Sequence, residues 1–217
     1  MKKLFIGSLV AVFMFAFTLN MALAAADSDP IGVSLTVTST IAINCSESLV
    51  TNPSDNGGTV TMAPIAGYGQ SAQVGSENEQ VCRVRTNNGN GYSLAIKDAD
   101  ATTTLTSPSD TIAVITSGTT PTTWSVGAGT SGWGYRLKSG SAASTGTYAT
   151  AWGADDTYAG KYAAVSASDV LIGEYTQETD NTGNDSTLKF GAEINATKIQ
   201  ATGTYTDTVT VTATTLP

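Results

Sequence analysis

Few side chains in this sequence could carry out chemistry, and histidine is absent from all 217 residues. Without imidazole, neither a Ser-His-Asp or Cys-His nucleophile nor a His-ligated zinc or haem site can form. Paired carboxylates such as Glu174 and Glu178 could in principle hydrolyse a glycosidic bond. Their negative charge is the only feature that favours this catalytic role, and ordinary surface carboxylates carry the same charge. The sequence therefore predicts a protein that is not an enzyme and has no cofactor.

Acidic residues with oxygen-bearing neighbours cluster at 98–100, 155–156 and 178–185. Calcium takes roughly six to eight oxygen ligands, and loops rich in Asp, Asn and Thr provide them. Asp180 and Asp185 are the calcium candidates of the third cluster, which lacks the residue spacing of an EF-hand. Asp, Asn and Gly are also the ordinary residues of solvated turns. We therefore expect turns rather than a metal site at these positions.

Three tryptophans, Trp124, Trp133 and Trp152, lie in the second half of the chain. Exposed indole rings beside Asp or Asn could stack on a carbohydrate, which would suit a monomeric binding module. Alternatively, each ring packs into the hydrophobic core of the domain. The sequence leaves both roles open.

Residues 1–24 are typical of a Sec signal peptide. The lysines at 2–3 precede an apolar stretch at 4–19, and Ala22 and Ala24 form a small-x-small cleavage site. Cleavage would follow Ala24 or Ala26, and the alternative is an uncleaved anchor. No later stretch has the roughly 18 apolar residues that span a bilayer. We expect an exported protein of the periplasm, cell surface or extracellular space, without stable membrane insertion once the signal is removed.

Charge and cysteine content fit that location. The formal net charge of −8 disfavours binding to the phosphates of nucleic acids. The chain has two cysteines, Cys45 and Cys82. In an exported protein such a pair predicts a disulfide, worth about 4 kcal/mol for a loop of this length, while two free thiols are the alternative.

Strand patterns dominate the chain, and amphipathic helix patterns are nearly absent. Alternating apolar residues separated by turn residues occur at 58–65, 79–86, 92–98, 110–115, 122–126, 132–138, 187–199 and 203–214. Such short strands predict a β-sandwich or barrel. Residues 139–187 are rich in Gly, Ser and Asp, and we expect long loops there, with one strand or a short helix at 163–176.

The stretch IGVSLTVTSTIAINC, at 31–45, holds two strands' worth of alternation. Its first half places apolar side chains at Ile31, Val33, Leu35 and Val37. Its second half continues with Ile41, Ile43 and Cys45. No Asn-Gly or Asp-Gly turn separates the halves. The first half is therefore either a separate extended segment or part of one long strand.

Several segments together resemble a known family. In chain order they are the alternating ribbon, the two cysteines, GYSLAI after an Asn/Gly-rich turn, WGYRL, TAWGADD and ATGTYTDTVTVTAT. This series resembles the spore coat protein U domain, shared with the major subunits of archaic chaperone–usher pili. GTYTDTVTVT is the most specific segment and is also similar to the last strand of type 1-like pilins. The resemblance covers most of 31–214, with extra residues at 100–130 and 155–185.

The resemblance implies an Ig-like antiparallel β-sandwich at 40–217 that lacks its last strand. Residues 27–39 would be an extended donor strand that completes the sandwich of the next copy. Such a head-to-tail contact builds a fibre. The protein would then be a non-catalytic structural or adhesive subunit. Its partners would be identical or related subunits, with a periplasmic chaperone and an outer-membrane usher.

The alternative is that 31–45 is one long first strand of a complete, monomeric sandwich, which would suit a binding module for carbohydrate or cell-surface adhesion. Alternation alone does not distinguish a donor strand from a strand of the subunit's own fold.

Overall fold

The computed structural model describes residues 34–45, 57–72, 78–100, 102–144 and 147–217. The chain divides into two units, Met1–Val37 and Thr38–Pro217. In the first unit only residues 34–37 are described, and all four are exposed. The predicted signal peptide, Ile31 and Val33 lie outside the described residues.

The described part of Thr38–Pro217 is built almost entirely of strands. In chain order they are β1 (Ile41–Cys45), β2 (Gly69–Gln70), β3 (Glu79–Thr86), β4 (Tyr92–Asp98), β5 (Leu105–Thr106), β6 (Thr111–Ile112), β7 (Thr122–Thr123), β8 (Ser131–Leu137), β9 (Lys161–Tyr162), β10 (Val170–Tyr175), β11 (Asn184–Ile194) and β12 (Val209–Thr215). One short helix, α1 (Thr147–Trp152), lies between β8 and β9.

The larger sheet is centred on β11. β11 pairs with three strands. It pairs with β3 along its first part and with β2 at its end, and it also pairs with β8. β1 adds to the outer side of β3, so that Ile43 lies opposite Val84 and Cys45 opposite Cys82. All of these pairings are antiparallel.

The smaller sheet has the order β10-β4-β12 and is also antiparallel. A short turn at residues 87–91 joins β3 of the larger sheet to β4 of the smaller one. In this turn the Gly91 N–H donates to the Asn88 carbonyl at 2.9 Å. Gly91 has a φ of +83°, and a Cβ there would collide with the Tyr175 carbonyl, so only glycine fits.

The main core lies between these two sheets. Side chains from both meet in it, among them Val84, Leu94, Ile96, Tyr135 and Leu188, all at most 2% exposed. The predicted all-β antiparallel sandwich is therefore confirmed. The period-2 patterns at 79–86 and 92–98 account for it, because every second residue of β3 and β4 is buried.

A further layer covers the other face of the larger sheet. Trp124 and Tyr162 form a second apolar cluster with Ile115 and Ala164. Arg136 of β8 is fully buried on this side and pairs with Asp156 at 3.0 Å. Its guanidinium also donates to the carbonyls of Trp152 and Gly153, which fixes the loop after α1.

Two expectations from the sequence need correction. The segment at 58–65 forms no strand; Val60, Met62 and Ile65 pack against the core without a backbone ladder. Pro64, which has no N–H to donate, lies within it. The range 139–187 contains more than loops, since α1, β9, β10 and the start of β11 fall inside it. Its strands carry little alternation because neighbouring layers bury both faces of β11.

Candidate functional site

The segment before the first strand presents apolar side chains to solvent. Leu35 is 88% exposed and Val37 is 74% exposed, and residues 34–40 are exposed throughout. β1 begins only at Ile41, so 34–40 is not a continuation of the first strand. The predicted donor residues Leu35 and Val37 are therefore available for a contact, while Ile31 and Val33 lie outside the described residues.

β12 has the two faces of a strand that covers a core. Val209, Val211 and Ala213 point inward and pack against the main core, yet they remain partly exposed. The alternate positions are threonines that point to solvent, at 210, 212 and 214. The inward row is therefore apolar but incompletely covered.

β1 shows the same incomplete cover from the opposite sheet. Ile41 and Ile43 lie on the core face of the larger sheet and remain partly exposed. Their neighbours Val84 and Cys82 on β3 have no exposed surface. Burial therefore decreases toward the side of the sandwich where β1 and β12 are the outermost strands.

The two edges of the smaller sheet are built differently. β10 carries a β-bulge between Leu171 and Gly173, and the segment before α1 covers its outer side: the Glu174 N–H donates to the Ala143 carbonyl at 3.0 Å. β12 has seven residues without a proline, a charge or a bulge. In the described part of the chain, its outer side has no backbone partner. Proteins usually block such an edge, because it is a template for pairing with another strand.

β1 and β12 approach each other on this open side. Several of their Cα atoms lie within 8 Å, although no backbone hydrogen bond joins the two strands among the described residues. We call the side formed by β1 and β12 the open side. A strand paired with both would need roughly 9.6 Å between them, twice the usual spacing. Among the described residues, the open side is thus apolar and has no strand paired to it, but it is too narrow for a fully inserted strand.

The predicted disulfide is confirmed between Cys45 and Cys82. The two residues are direct partners across β1 and β3, so the bond fixes the end of β1 that lies far from the 87–91 turn. The other end of β1 is held by hydrogen bonds. Asn87 accepts from the Thr40 N–H at 2.7 Å and donates to the Thr38 carbonyl at 2.9 Å.

The same turn also holds the end of β12. The Asn88 side chain donates to the Leu216 carbonyl at 2.6 Å, and Asn90 donates to the Pro217 carbonyl at 2.6 Å. The sequence predicted a turn at these asparagines but not this role. The number of asparagines was the signal for this role, because a tight turn needs one or two asparagines and this turn has three.

The tryptophans proposed as ligand-facing aromatics are core residues. Trp124, Trp133 and Trp152 are only 8%, 2% and 2% exposed. Each indole N–H is satisfied internally, by the Glu193 carboxylate, the Thr103 carbonyl and the Ile172 carbonyl respectively. They present no ring face to a ligand because the outer layer and the main core enclose them.

The structure does not combine Asp180 and Asp185 into a metal site. Asp180 closes a turn by accepting from the Thr182 and Gly183 N–H groups, and the Thr182 hydroxyl bond holds its pKa below the usual value. Asp185 forms a two-bond ion pair with Arg83, with the shorter distance 2.7 Å. Both carboxylates are thus engaged by protein groups.

A different set of carboxylates does meet, at the start of β12. One oxygen each from Asp98, Asp100 and Asp207 lies within 4.8 Å of the others. Asp98 is buried and accepts from the Asp100 and Thr103 N–H groups, both at 2.8 Å. Burial, with the nearby charge of Asp98, raises the pKa of Asp207 to about 6. Three residues already engaged in this way fall short of a calcium shell.

Comparison with known proteins adds no identity: no family model, no curated protein and no solved structure matches this chain. The residues that the structure describes include no helix with the length and apolar character needed to cross a membrane.

Proposed function

We propose that this protein is an exported, non-catalytic structural subunit of a surface fibre or coat. In this proposal the segment 31–37 of one copy adds as a strand to the open side of the next copy. The observation that supports the proposal is that one chain carries two complementary features. An exposed apolar segment precedes β1, and β12 has an edge without a backbone partner among the described residues, above a half-covered apolar row.

The added strand would satisfy both kinds of unmet interaction. Its backbone would pair with the free N–H and C=O groups of β12. Its apolar side chains would fall on one face, because alternate residues of a strand point the same way. On that face they would cover Val211 and Ala213 of β12 and Ile43 of β1. Burial of the four donor side chains, Ile31, Val33, Leu35 and Val37, is worth roughly 6–12 kcal/mol before ordering costs are subtracted.

Insertion also requires the open side to widen, since β1 and β12 are closer than two strand spacings. A partner that holds the two edges apart before assembly would assist this step. A periplasmic chaperone, with an outer-membrane usher, is the kind of partner that the resemblance implies. Copies of the same or a related subunit are the partners that we propose for the exposed segment and the β12 edge.

The first test compares the chain, expressed in an oxidising compartment, with and without residues 25–38. We expect the intact protein to form heat-resistant oligomers and the shortened protein to be a folded, less stable monomer. A stable intact monomer that loses cooperative melting on truncation would contradict the proposal. The segment would then belong to its own sandwich, and the binding-module alternative would take its place.

The acceptor side is tested by a matched pair of variants on β12. Ala213→Phe places a ring on the inward face, where the apolar side chains of an added strand would lie, whereas Thr212→Phe places the same ring on the solvent face. Only Ala213→Phe should block assembly, as measured by size-exclusion chromatography. Equal behaviour of the two variants would count against strand addition at this edge.

A further inference from the structure

The turn at 87–91, together with Thr86 at the end of β3, contacts both the residues that follow the donor segment and the end of the acceptor strand. On one side it holds Thr38–Thr40, where the sandwich unit begins after the proposed donor segment. On the other it holds Leu216, which directly follows the acceptor strand β12. Adjacent residues of a single turn make these contacts, so the two ends share one support.

Two sets of hydrogen bonds meet at Asn88 in this turn, one made by its side chain and the other by its backbone N–H. The Asn88 side chain donates to the Leu216 carbonyl at 2.6 Å, and the Asn88 N–H donates to the Thr86 hydroxyl at 3.1 Å. The same hydroxyl donates to the Thr40 carbonyl at 2.7 Å. Thr86 is buried, so water competes poorly for these groups. The Thr86 hydroxyl accepts one bond and donates the other, so these two bonds strengthen each other. The covalent frame of Asn88 links them to the side-chain bond with Leu216.

We infer that this turn couples the acceptor edge of a subunit to the base of its own donor segment. The inference rests on the proposed function. A strand added to β12 orders the end of that strand and hence the side chain of Asn88. The ordered turn then holds Thr40 at a lower entropic cost, because part of the ordering has already been done. A subunit that has accepted a strand is thereby better prepared to donate its own.

The coupling is reciprocal, since two linked sites must affect each other by the same factor. Fixing Thr38–Thr40 in a joint should equally favour order at the end of β12. Growth of the fibre would then be cooperative, with subunits inside a fibre holding both of their joints more tightly than a pair of subunits holds one.

The first experiment measures amide hydrogen exchange at Thr40, whose N–H donates to Asn87, and at Leu216, whose N–H donates to the Gly91 carbonyl. Asn88→Ala removes the side-chain bonds to the Leu216 and Gly91 carbonyls but keeps the backbone N–H that reaches Thr86. We expect exchange at Thr40 to accelerate by roughly two- to tenfold, the range of one hydrogen bond. Asn90→Ala, which loses only the bond to Pro217, is the control and should leave Thr40 unchanged.

Thr86→Val tests the opposite direction, because it removes the hydroxyl and keeps the shape of the side chain. It should accelerate exchange at Leu216, which the hydroxyl does not contact. Faster exchange at the mutated end alone, in both Asn88→Ala and Thr86→Val, would overturn the coupling. This comparison does not depend on assembly.

The second experiment adds a peptide with the sequence of 31–37 to the full chain carrying Leu35→Asp, which keeps its acceptor edge but cannot donate. Protection of both the β12 amides and Thr40 supports the coupling. Protection of β12 without Thr40 overturns the coupling and leaves strand addition intact. Protection of neither overturns strand addition and, with it, the regulatory role of the turn.

Discussion

Leu35 gives the sharpest prediction. If Leu35 packs within its own subunit, its mutation lowers the free energy of unfolding, whereas if it packs in a neighbouring copy, its mutation weakens the association of subunits. Leu35 is 88% exposed in the subunit, so Leu35→Ala should change the free energy of unfolding by no more than about 0.5 kcal/mol. If the side chain is buried in a neighbouring copy, the same mutation weakens the joint. Thr36→Ala, at the adjacent position on the other face of the segment, is the matched control.

The size of the effect follows from the surface that becomes buried. Leu→Ala removes a branched apolar group worth about 2.4 kcal/mol on full burial, at about 0.8 kcal/mol per carbon. Nearly all of that surface is free in the subunit, so the joint should lose about 2 kcal/mol. At about 1.4 kcal/mol per tenfold change, the dissociation constant should rise roughly thirtyfold.

Sedimentation velocity over a dilution series measures the assembly, and thermal unfolding of the dissociated subunit measures the fold. The expected result is weaker assembly for Leu35→Ala, unchanged assembly for Thr36→Ala and equal melting temperatures. The opposite pattern, with intact assembly and a melting temperature about 4–8 °C lower for Leu35→Ala, would refute the reasoning. It would mean that Leu35 packs within its own subunit.

Three further predictions concern the stability of the subunit. Arg136→Met removes the cation paired with Asp156, which keeps its bonds from Ser139, and leaves buried carbonyls without donors, so denaturant titration should show a loss of about 3 kcal/mol, partly recovered by Arg136→Lys. Asp207 has a pKa raised to about 6, above its unfolded value, so its ionised form opposes folding and stability should rise as the pH falls from 7 to 5. Asp207→Asn should remove that rise and add about 1 kcal/mol at pH 7 after allowance for solvent screening, whereas a variant less stable than the parent at pH 7 would contradict the assignment. Replacing both Cys45 and Cys82 by Ser opens a loop with a sequence separation of 37, and urea unfolding should show a loss of about 4 kcal/mol that reduction of the parent reproduces.

The fold was predictable where one face of a strand is buried and the other is solvated. β3, β4 and β12 carry alternation. The structure places β3 and β4 on their predicted ranges, and β12 extends one residue beyond its predicted end at 214. β11 could not be recognised in this way along its whole length, since loops cover its outer face and residues such as Lys189 are buried there. A pattern of period two requires a solvated face, and the extra layer removes it.

The candidate site was predictable only in part, because contacts between distant residues leave no local pattern. Alternation identified Leu35 and Val37 as members of one apolar row, but it did not predict their exposure, because a strand of the subunit's own sandwich alternates in the same way. Asp98 and Asp207 meet because β4 pairs with β12, and spacing along the chain gives no sign of that pairing. The hold of Asn88 on Leu216 likewise spans 128 residues.

The narrow gap on the open side bears on how a joint could form. Both ends of β1 are fixed, by the disulfide at Cys45 and by the Asn87 contacts at Thr40. β12 is held at its end by Asn88 and along its length by the ladder with β4. Widening the gap from its present Cα separations, which lie within 8 Å, therefore strains both anchors while the apolar rows are still uncovered. The barrier to joining two free subunits should consequently lie in opening this side, and the exposed residues of the donor segment repay that cost only after the strand has entered.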